Sequence, residues 1–203
     1  MENIRIYCEN SKTYCKVAMG TTLKELADMK CPSVKDDKSG LDLPVLAALV
    51  DNKLKSLDYR IINPHNIRFV GYSHPDGRRT YIRSLCFVLQ KVVREMWPDK
   101  VLAIDYALPS GLYCEIREAE AMEDGRPRIY YATDDELAEA EARMRTIIQA
   151  DMPFSKVMMS LEEACTLFEK NRQKEKVNLL RTIGRFNYNV YFLDGAADTF
   201  YGP

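Results

Sequence analysis

The fold is decided first by the stretch GTTLKELA at residues 20–27. Thr22 and Glu25 have the spacing of a capping box, in which a side-chain hydroxyl and a carboxylate each bind a backbone N–H at the start of a helix. Leu23 and Leu26 fall on one face of that helix, which we expect to end near Lys30. The stretch therefore predicts a short amphipathic helix with one buried face.

Strand patterns lie on both sides of this helix. Residues 3–8 alternate apolar and polar side chains, and residues 14–18 form a second apolar run after a polar turn, which predicts a β-hairpin. Residues 31–42 are rich in Lys, Asp, Ser and Gly and predict a loop, whereas residues 45–50 and 67–70 are apolar and predict two more strands. The order β-β-α-β-β is typical of a small β-grasp domain, which we place at residues 1–72.

A second domain is predicted after the turn-forming cluster at residues 71–77, where we place the boundary. Apolar residues recur at three- and four-residue steps from Thr80 until Pro98, which predicts a long helix. Two strands at 101–106 and 112–116 are predicted next, joined by a turn at 109–111 and followed by a loop carrying Gly125 and Pro127. Capping boxes at Thr133 and Ser160 predict the starts of two helices. Residues 189–193 and 200–203 return to a β pattern. Residues 73–203 are therefore predicted to form a larger α+β domain.

Charge and composition limit the function classes. The chain has 203 residues, 29 basic and 30 acidic side chains and a pI near 6.2, which argues against nucleic-acid binding through bulk positive charge and leaves a local basic face open. Residues 1–72 hold 11 basic and 9 acidic side chains, and residues 73–203 hold 18 and 21. No segment approaches the roughly 20 apolar residues of a membrane helix, and the start does not resemble a signal peptide. We expect a cytoplasmic protein with no membrane partner.

Cysteine and histidine usage indicates no metal site. The six cysteines are scattered without a Cys-x-x-Cys pair and sit in apolar contexts typical of reduced, buried thiols. The two histidines each lie next to a proline, and no cluster has the ligand spacing of a zinc site. We therefore expect no metal and no cofactor in this chain.

Two segments taken together resemble the amino-terminal region of threonyl-tRNA synthetases. Residues 3–70 resemble the TGS domain, a β-grasp module, through Gly-Thr-Thr-Leu at 20–23 and Leu-Ala-Ala-Leu-Val-Asp-Asn-Lys-Leu at 46–54, followed by Leu57-Asp58. Residues 80–203 resemble the second additional domain, in which such enzymes hydrolyse mischarged tRNA. The matching stretches are 88–89, 97–98, 102–104, 110–113, 133–148 and 160–164. The resemblance implies a TGS-type β-grasp domain followed by an editing-like α+β domain.

The residues that differ from this family bear most on function. Counting back from Trp97-Pro98 places the family's His-x-x-x-His motif at Arg83 and Phe87, and its Cys-x-Gly-Pro-His motif falls on residues 200–203, with Phe200 at the cysteine position. Neither arginine nor phenylalanine can bind a metal or relay a proton as imidazole does. The resemblance thus implies degenerate editing positions, no catalytic residue and no hydrolysis of aminoacyl-tRNA.

A relined pocket is the expected remnant of the editing cleft. Lys176 matches the lysine of a short family stretch, Tyr-Lys-Val, and Arg83 lies on the helix of the former site. Both are candidate ligand-binding residues for a nucleotide or an amino acid, with Arg83 as the partner of the anionic group.

The two-domain combination also resembles the front of bacterial uridine-kinase-like nucleoside kinases. The chain has no Gly-x-x-x-x-Gly-Lys-Ser/Thr sequence, so nucleoside phosphorylation, ATP and Mg²⁺ are expected only in a missing carboxyl-terminal kinase-like domain. Because the sequence ends inside a motif at Pro203, we expect a truncated fragment. The resemblance implies a non-catalytic regulatory or ligand- or RNA-sensing module that partners its own kinase domain. The alternative is a tRNA-binding or tRNA-editing module of a threonyl-tRNA synthetase-like protein.

Three groups of side chains allow two interpretations each. Basic residues near Arg78 and between 170 and 185 could contact RNA phosphates or could be solvated faces. Aromatic residues between 188 and 201 could stack on bases or belong to a half-buried strand. The acidic residues 134–136 are expected to cap a helix and complement its dipole rather than to act as an acid–base cluster.

Overall fold

The computed structural model describes residues 2–36, 39–109, 111–121 and 127–200. The fold is mixed α+β, with sheets of five, three, three and two strands within those ranges. The chain forms two compact units that divide between Ser84 and Leu85, and we call them unit 1 and unit 2. The domain boundary after residue 72 stays a prediction.

Unit 1 is built around a five-stranded sheet with one short helix. Its elements are β1 (Asn3–Cys8), β2 (Thr13–Ala18), α1 (Leu23–Lys30), β3 (Ser33–Lys35), β4 (Asp42–Pro44), β5 (Ala47–Val50), β6 (Lys53–Lys55), β7 (Asn66–Val70) and the first part of α2 (Pro75–Met96). The sheet order is β2-β1-β7-β5-β6, in which β1 and β7 are parallel and the other neighbours antiparallel. The predicted hairpin, helix and strands β5 and β7 are confirmed.

Helix α1 packs as its sequence predicts. The Thr22 hydroxyl accepts a hydrogen bond from the Glu25 N–H, and the Glu25 carboxylate accepts one from the Thr22 N–H at 2.8 Å. Leu23 and Leu26 are fully buried in a cluster with Ile6 and Phe69 from the sheet. The capping box sets the start of the helix, and the two leucines attach it to the sheet.

Two loop predictions in unit 1 are wrong. Residues 31–42 do not form a simple loop, because β3 and β4 pair with Val34 opposite Leu43. Three-residue strands are too short to produce a recognisable alternation. The predicted linker at 71–77 ends early, since α2 begins at Pro75 rather than near Thr80. Proline suits the first turn of a helix, where its missing N–H and fixed φ carry no penalty.

Unit 2 contains the rest of α2, two antiparallel three-stranded sheets and three further helices. Its elements are β8 (Lys100–Leu108), β9 (Gly111–Ala121), β10 (Pro127–Tyr130), α3 (Asp134–Gln149), β11 (Ser155–Ser160), α4 (Leu161–Lys170), α5 (Lys174–Ile183), β12 (Asn187–Leu193) and β13 (Ala196–Thr199). The sheet orders are β10-β9-β8 and β11-β12-β13. The predicted hairpin, both capped helices and β12 are confirmed.

Some elements of unit 2 differ from the sequence prediction. Pro127 begins β10 instead of lying in a loop, and Gly125 falls outside the described residues. Strand β11 and helix α5 were not predicted, since β11 is largely exposed and α5 begins without a side-chain cap at Gln173. The predicted terminal β segment shifts to β13, which ends at Thr199, and residues 201–203 lie outside the described ranges.

Candidate functional site

The structure brings three of the four predicted site residues together in unit 2. Phe87 comes from α2, Lys176 from the first turn of α5, and Phe200 follows β13 directly. The Phe200 ring contacts both of the others. Arg83 also lies on α2 but belongs to unit 1, so its role as an anion ligand stays a prediction.

An aromatic cluster surrounds Phe87. Its ring centroid lies 5.7 Å from that of Phe154 and 5.6 Å from that of Phe200, and Phe200 lies 6.0 Å from Tyr191. These separations are typical of favourable ring packing. Phe87 is only 2% exposed and belongs to a core cluster with Val88, Val92 and Leu193. Phe87 therefore packs in a core, and the relined pocket stays a prediction.

Beside these rings lies a buried carboxylate that the sequence analysis missed. Asp198 on β13 is 1% exposed, and both of its carboxylate oxygens have hydrogen-bond donors as partners. The Lys176 ammonium lies 2.5 Å from Asp198 Oδ1, which also accepts the Thr199 N–H at 2.7 Å. The Gln90 side-chain amide donates to Asp198 Oδ2 in the orientation that satisfies both of its partners. We call Asp198, Lys176, Gln90 and Arg94 the Asp198 cluster.

Helix α2 supplies two members of this cluster because of its periodicity. Phe87, Gln90 and Arg94 follow one another at three- and four-residue steps and therefore share a helix face. Arg94 donates to Gln90 Oε1 at 3.0 Å and to the Ala197 carbonyl at 3.4 Å. Burial lowers the pKa of the Arg94 guanidinium, and the charge of Asp198 opposes that change. The cluster thus ties α2, α5 and β13 together around one negative charge.

Lys176 makes two contacts inside the protein. Besides its ion pair with Asp198, its Nζ lies 5.6 Å from the centroid of the Phe200 ring, within cation–π range. The positive charge is therefore neutralised by a carboxylate that is itself buried. This pairing argues against the predicted role of Lys176 as the ligand of an external anion.

The thiol of Cys86 is a poor nucleophile. Burial raises its pKa, and the charges of Cys114 and Asp198 raise it further. Because the thiolate is the reactive form of cysteine, a raised pKa keeps this residue protonated and inert at neutral pH. The prediction of buried thiols is confirmed for Cys8, Cys31 and Cys165, whereas Cys15, Cys86 and Cys114 are only partly buried.

A buried lysine fixes the turn that precedes Asp198. Lys91 Nζ donates to the Asp194 carbonyl at 3.0 Å and pairs with the Glu95 carboxylate at 2.5 Å. Burial alone would lower the pKa of Lys91, but hydrogen bonds to Glu95 and Asp194 outweigh that effect and raise it. Asp194 and Gly195 both have positive φ, as the tight turn between β12 and β13 requires.

The geometry answers the open interpretations for two individual residues, Glu136 and Tyr188. The capping role is confirmed for Glu136, because the Thr133 hydroxyl accepts from the Glu136 N–H and the Glu136 carboxylate accepts from the Thr133 N–H, while Asp134 and Asp135 lie in the first turn of α3. Tyr188 is 7% exposed, and its hydroxyl donates to the Leu180 carbonyl at 2.7 Å. It therefore belongs to a core and is not available for base stacking.

The described ranges contain neither a helix that could span a membrane nor a group of side chains that could hold a metal ion. No described helix is long and apolar enough to cross a membrane. In the same ranges, no set of three or more His, Cys, Asp or Glu side chains is grouped so as to hold a metal ion.

The chain is similar in sequence to threonine–tRNA ligases. No family model matches the chain. It is 29% identical over 163 residues to the threonine–tRNA ligase of Desulforamulus reducens, an alignment that covers 80% of the chain and 23% of that enzyme. It is 26% identical over 166 residues to the ligase of Acetivibrio thermocellus, covering 81% and 23%. With the Acidithiobacillus ferrooxidans ligase it shares 28% over 147 residues, covering 72% and 21%. The chain thus spans about a quarter of the length of these relatives.

Proposed function

We propose that this chain is a tRNA-binding module of a threonyl-tRNA synthetase-like protein and that it does not hydrolyse aminoacyl-tRNA. Its similarity to threonine–tRNA ligases over 80% of its length supports the tRNA partner. The relatives give no support to the kinase-associated module expected from the sequence, and a kinase partner domain is not part of the proposal.

The contact between Phe87 and Phe200 carries the non-hydrolytic part of the proposal. Both positions correspond, in the family resemblance, to residues of the two editing motifs. Here their rings pack 5.6 Å apart, and Phe87 is buried in the core of unit 2. Phenyl rings can neither activate water nor relay a proton, and their packing leaves little space for a substrate at this point.

The polar groups nearby do not replace the lost chemistry. A general base needs a free acceptor within reach of water, whereas the Asp198 carboxylate is 1% exposed and bound by Lys176, Gln90 and the Thr199 N–H. A nucleophilic cysteine needs a lowered pKa, whereas the pKa of Cys86 is raised. These features support a structural rather than a catalytic role for Asp198 and Cys86.

The proposal includes the ancestry of the two modules. A five-stranded sheet with a parallel β1/β7 pair and one capped helix supports a TGS-type β-grasp assignment for residues 1–72. The arrangement of α2, the β8–β9 hairpin and the capped helices supports an editing-like assignment for residues 73–203.

Two measurements on the purified chain test the proposal separately. Filter binding to tRNA over a salt series should give binding that weakens as salt rises, since phosphate contacts release counterions. An unrelated structured RNA of equal length is the matched control, and equal binding of both RNAs, or no tRNA binding at the lowest salt, removes the tRNA assignment. Seryl-tRNA(Thr) incubated with the chain should deacylate no faster than in buffer. Faster release of serine refutes the loss of hydrolysis.

A further inference from the structure

Unit 1 contains a groove that none of the functions considered above uses. Its volume is about 870 Å³, and it is formed by the β1–β2 turn, the end of α1, the β3–β4 hairpin, β7 and the segment 71–75. The Asn10 side chain fixes the turn to β7, since it donates to the Phe69 carbonyl at 3.0 Å and accepts the Phe69 N–H at 2.7 Å. Part of the groove wall is therefore held by two hydrogen bonds between the Asn10 side chain and the Phe69 backbone.

Positive charge is concentrated in this groove. Lys12, Lys30, Lys35 and Arg68 line it, come from four separate elements and are all exposed. In the part of the chain that the structure describes, none of the four forms an ion pair. The acidic lining residues are Glu9 and Asp42, so basic side chains outnumber acidic ones by four to two. The nearly balanced composition of residues 1–72 conceals this local excess.

Exposed aromatic rings lie beside the groove. Tyr72, which stands between the lining residues Gly71 and Ser73, packs edge to face against Tyr81 with ring centroids 5.2 Å apart. Both rings are 42% exposed, and the Arg78 guanidinium lies 5.4 Å from the Tyr72 centroid. Surfaces that bind single-stranded nucleic acid combine such rings and arginines with a groove of basic side chains.

We propose that this groove binds the phosphodiester backbone of a single-stranded RNA segment, with Tyr72 and Tyr81 offering stacking faces to its bases. The inference rests on the proposed tRNA binding and names the surface of unit 1 that contributes to it. Cationic side chains spread over four elements match the regularly spaced phosphates of a chain better than the single phosphate group of a mononucleotide.

The test uses the full chain and a labelled 12-nucleotide single-stranded RNA, with intact tRNA measured in parallel. The groove variant is Lys35→Gln with Arg68→Gln. The control variant is Lys16→Gln with Lys24→Gln, which removes two exposed positive charges of unit 1 that do not line the groove. Each lost phosphate contact lowers the salt slope by about 0.7, so the groove variant should lose about 1.4 in slope and bind about 25-fold more weakly near 0.1 M salt. The control variant should stay close to the wild type.

The four combinations of results separate the two proposals. The inference is supported if the groove variant loses binding to both RNAs and the control variant does not. If the groove variant binds tRNA as tightly as the wild type does, the proposal that the groove binds RNA is refuted, while the proposed tRNA binding of the chain stands. Groove-dependent binding of the 12-nucleotide RNA without tRNA binding supports the groove and refutes the proposed function. No wild-type binding to either RNA overturns both. If AMP or pyrophosphate displaces the RNA when it is present at the same concentration as the RNA, the groove is assigned to a small phosphate ligand instead.

Stacking has its own matched pair of variants. Tyr72→Ala should weaken binding of the 12-nucleotide RNA at least about fivefold, the lower end for loss of one base–aromatic stack. Tyr14→Ala is the control, because Tyr14 is 63% exposed, contacts the Tyr7 ring at 4.9 Å and lies 4.2 Å from the Arg5 guanidinium, yet does not line the groove. Equal effects of the two substitutions overturn the stacking role of Tyr72.

Discussion

Replacement of Phe87 by alanine measures whether its ring fills a core or an open cleft. Phe87 is 2% exposed and contacts the rings of Phe154 and Phe200. Truncation of a buried phenylalanine costs about 3–5 kcal/mol through lost apolar burial and the cavity left behind. The two ring contacts account for about 0.5–1.5 kcal/mol each within that loss. We expect the free energy of unfolding of unit 2 to fall by about 4 kcal/mol.

The assay can follow unit 2 specifically. Trp97 is the single tryptophan of the chain, is 8% exposed and lies in unit 2, so its fluorescence reports the unfolding of that unit in urea. With a slope of about 2 kcal/mol per molar urea, the midpoint should fall by about 2 M. Phe186→Ala is the matched control, since Phe186 is 92% exposed and its loss should change stability by about 0.5 kcal/mol or less. Equal midpoints for the two variants would mean that the Phe87 ring stands in solvent, which refutes the filled cleft.

Two further predictions concern unit 1 and the helix starts. A Cβ at Gly77 would overlap the Gly71 carbonyl oxygen, so Gly77→Ala should lower the melting temperature sharply, whereas Gly111→Ala, with no atom within 4 Å of the new methyl, should leave it nearly unchanged. Equal melting temperatures would contradict the close approach. Hydrogen bonds from the backbone of the capping residues lower the pKa of Glu25, Glu136 and Glu163 below the ordinary value of 4.5. The stability that these three carboxylates contribute is therefore complete above pH 4.5 and is lost as the pH falls through their lowered pKa values. Calorimetry between pH 7 and pH 3 should show a stable plateau and then an acid decline, and replacement of all three by Gln should flatten that decline. If the melting temperature of the wild type stays constant when the pH is lowered below 4.5, the proposed role of the caps is contradicted.

Local signals in the sequence were sufficient for much of the fold. The Thr22, Thr133 and Ser160 capping boxes each place a helix start correctly, because the pattern describes hydrogen bonds made within four residues. Helix α5 was missed because it lacks that signal, and the β3–β4 hairpin was missed because three residues cannot display a period. Elements were predictable where local chemistry alone specifies them.

The candidate site was predictable only in part. The family resemblance pointed to Phe87, Lys176 and Phe200, and the structure brings them together. Asp198 gave no signal, since its partners lie on elements far along the chain: Gln90 on α2 and Lys176 on α5. An ion pair between a buried carboxylate and a partly buried lysine from distant elements depends on tertiary packing, which no pattern within a short window encodes.

The Asp198 cluster also limits which substitutions the protein can tolerate during evolution. Removing one partner of a buried pair leaves the other charge uncompensated, which is far more costly than replacing both together. If hydrolysis is absent, as proposed, selection on stability alone would still hold Asp198 and Lys176 in place or exchange them as a couple. In homologues of this chain, retention of these two polar residues would therefore be a record of folding constraint and would not by itself diagnose a working active site.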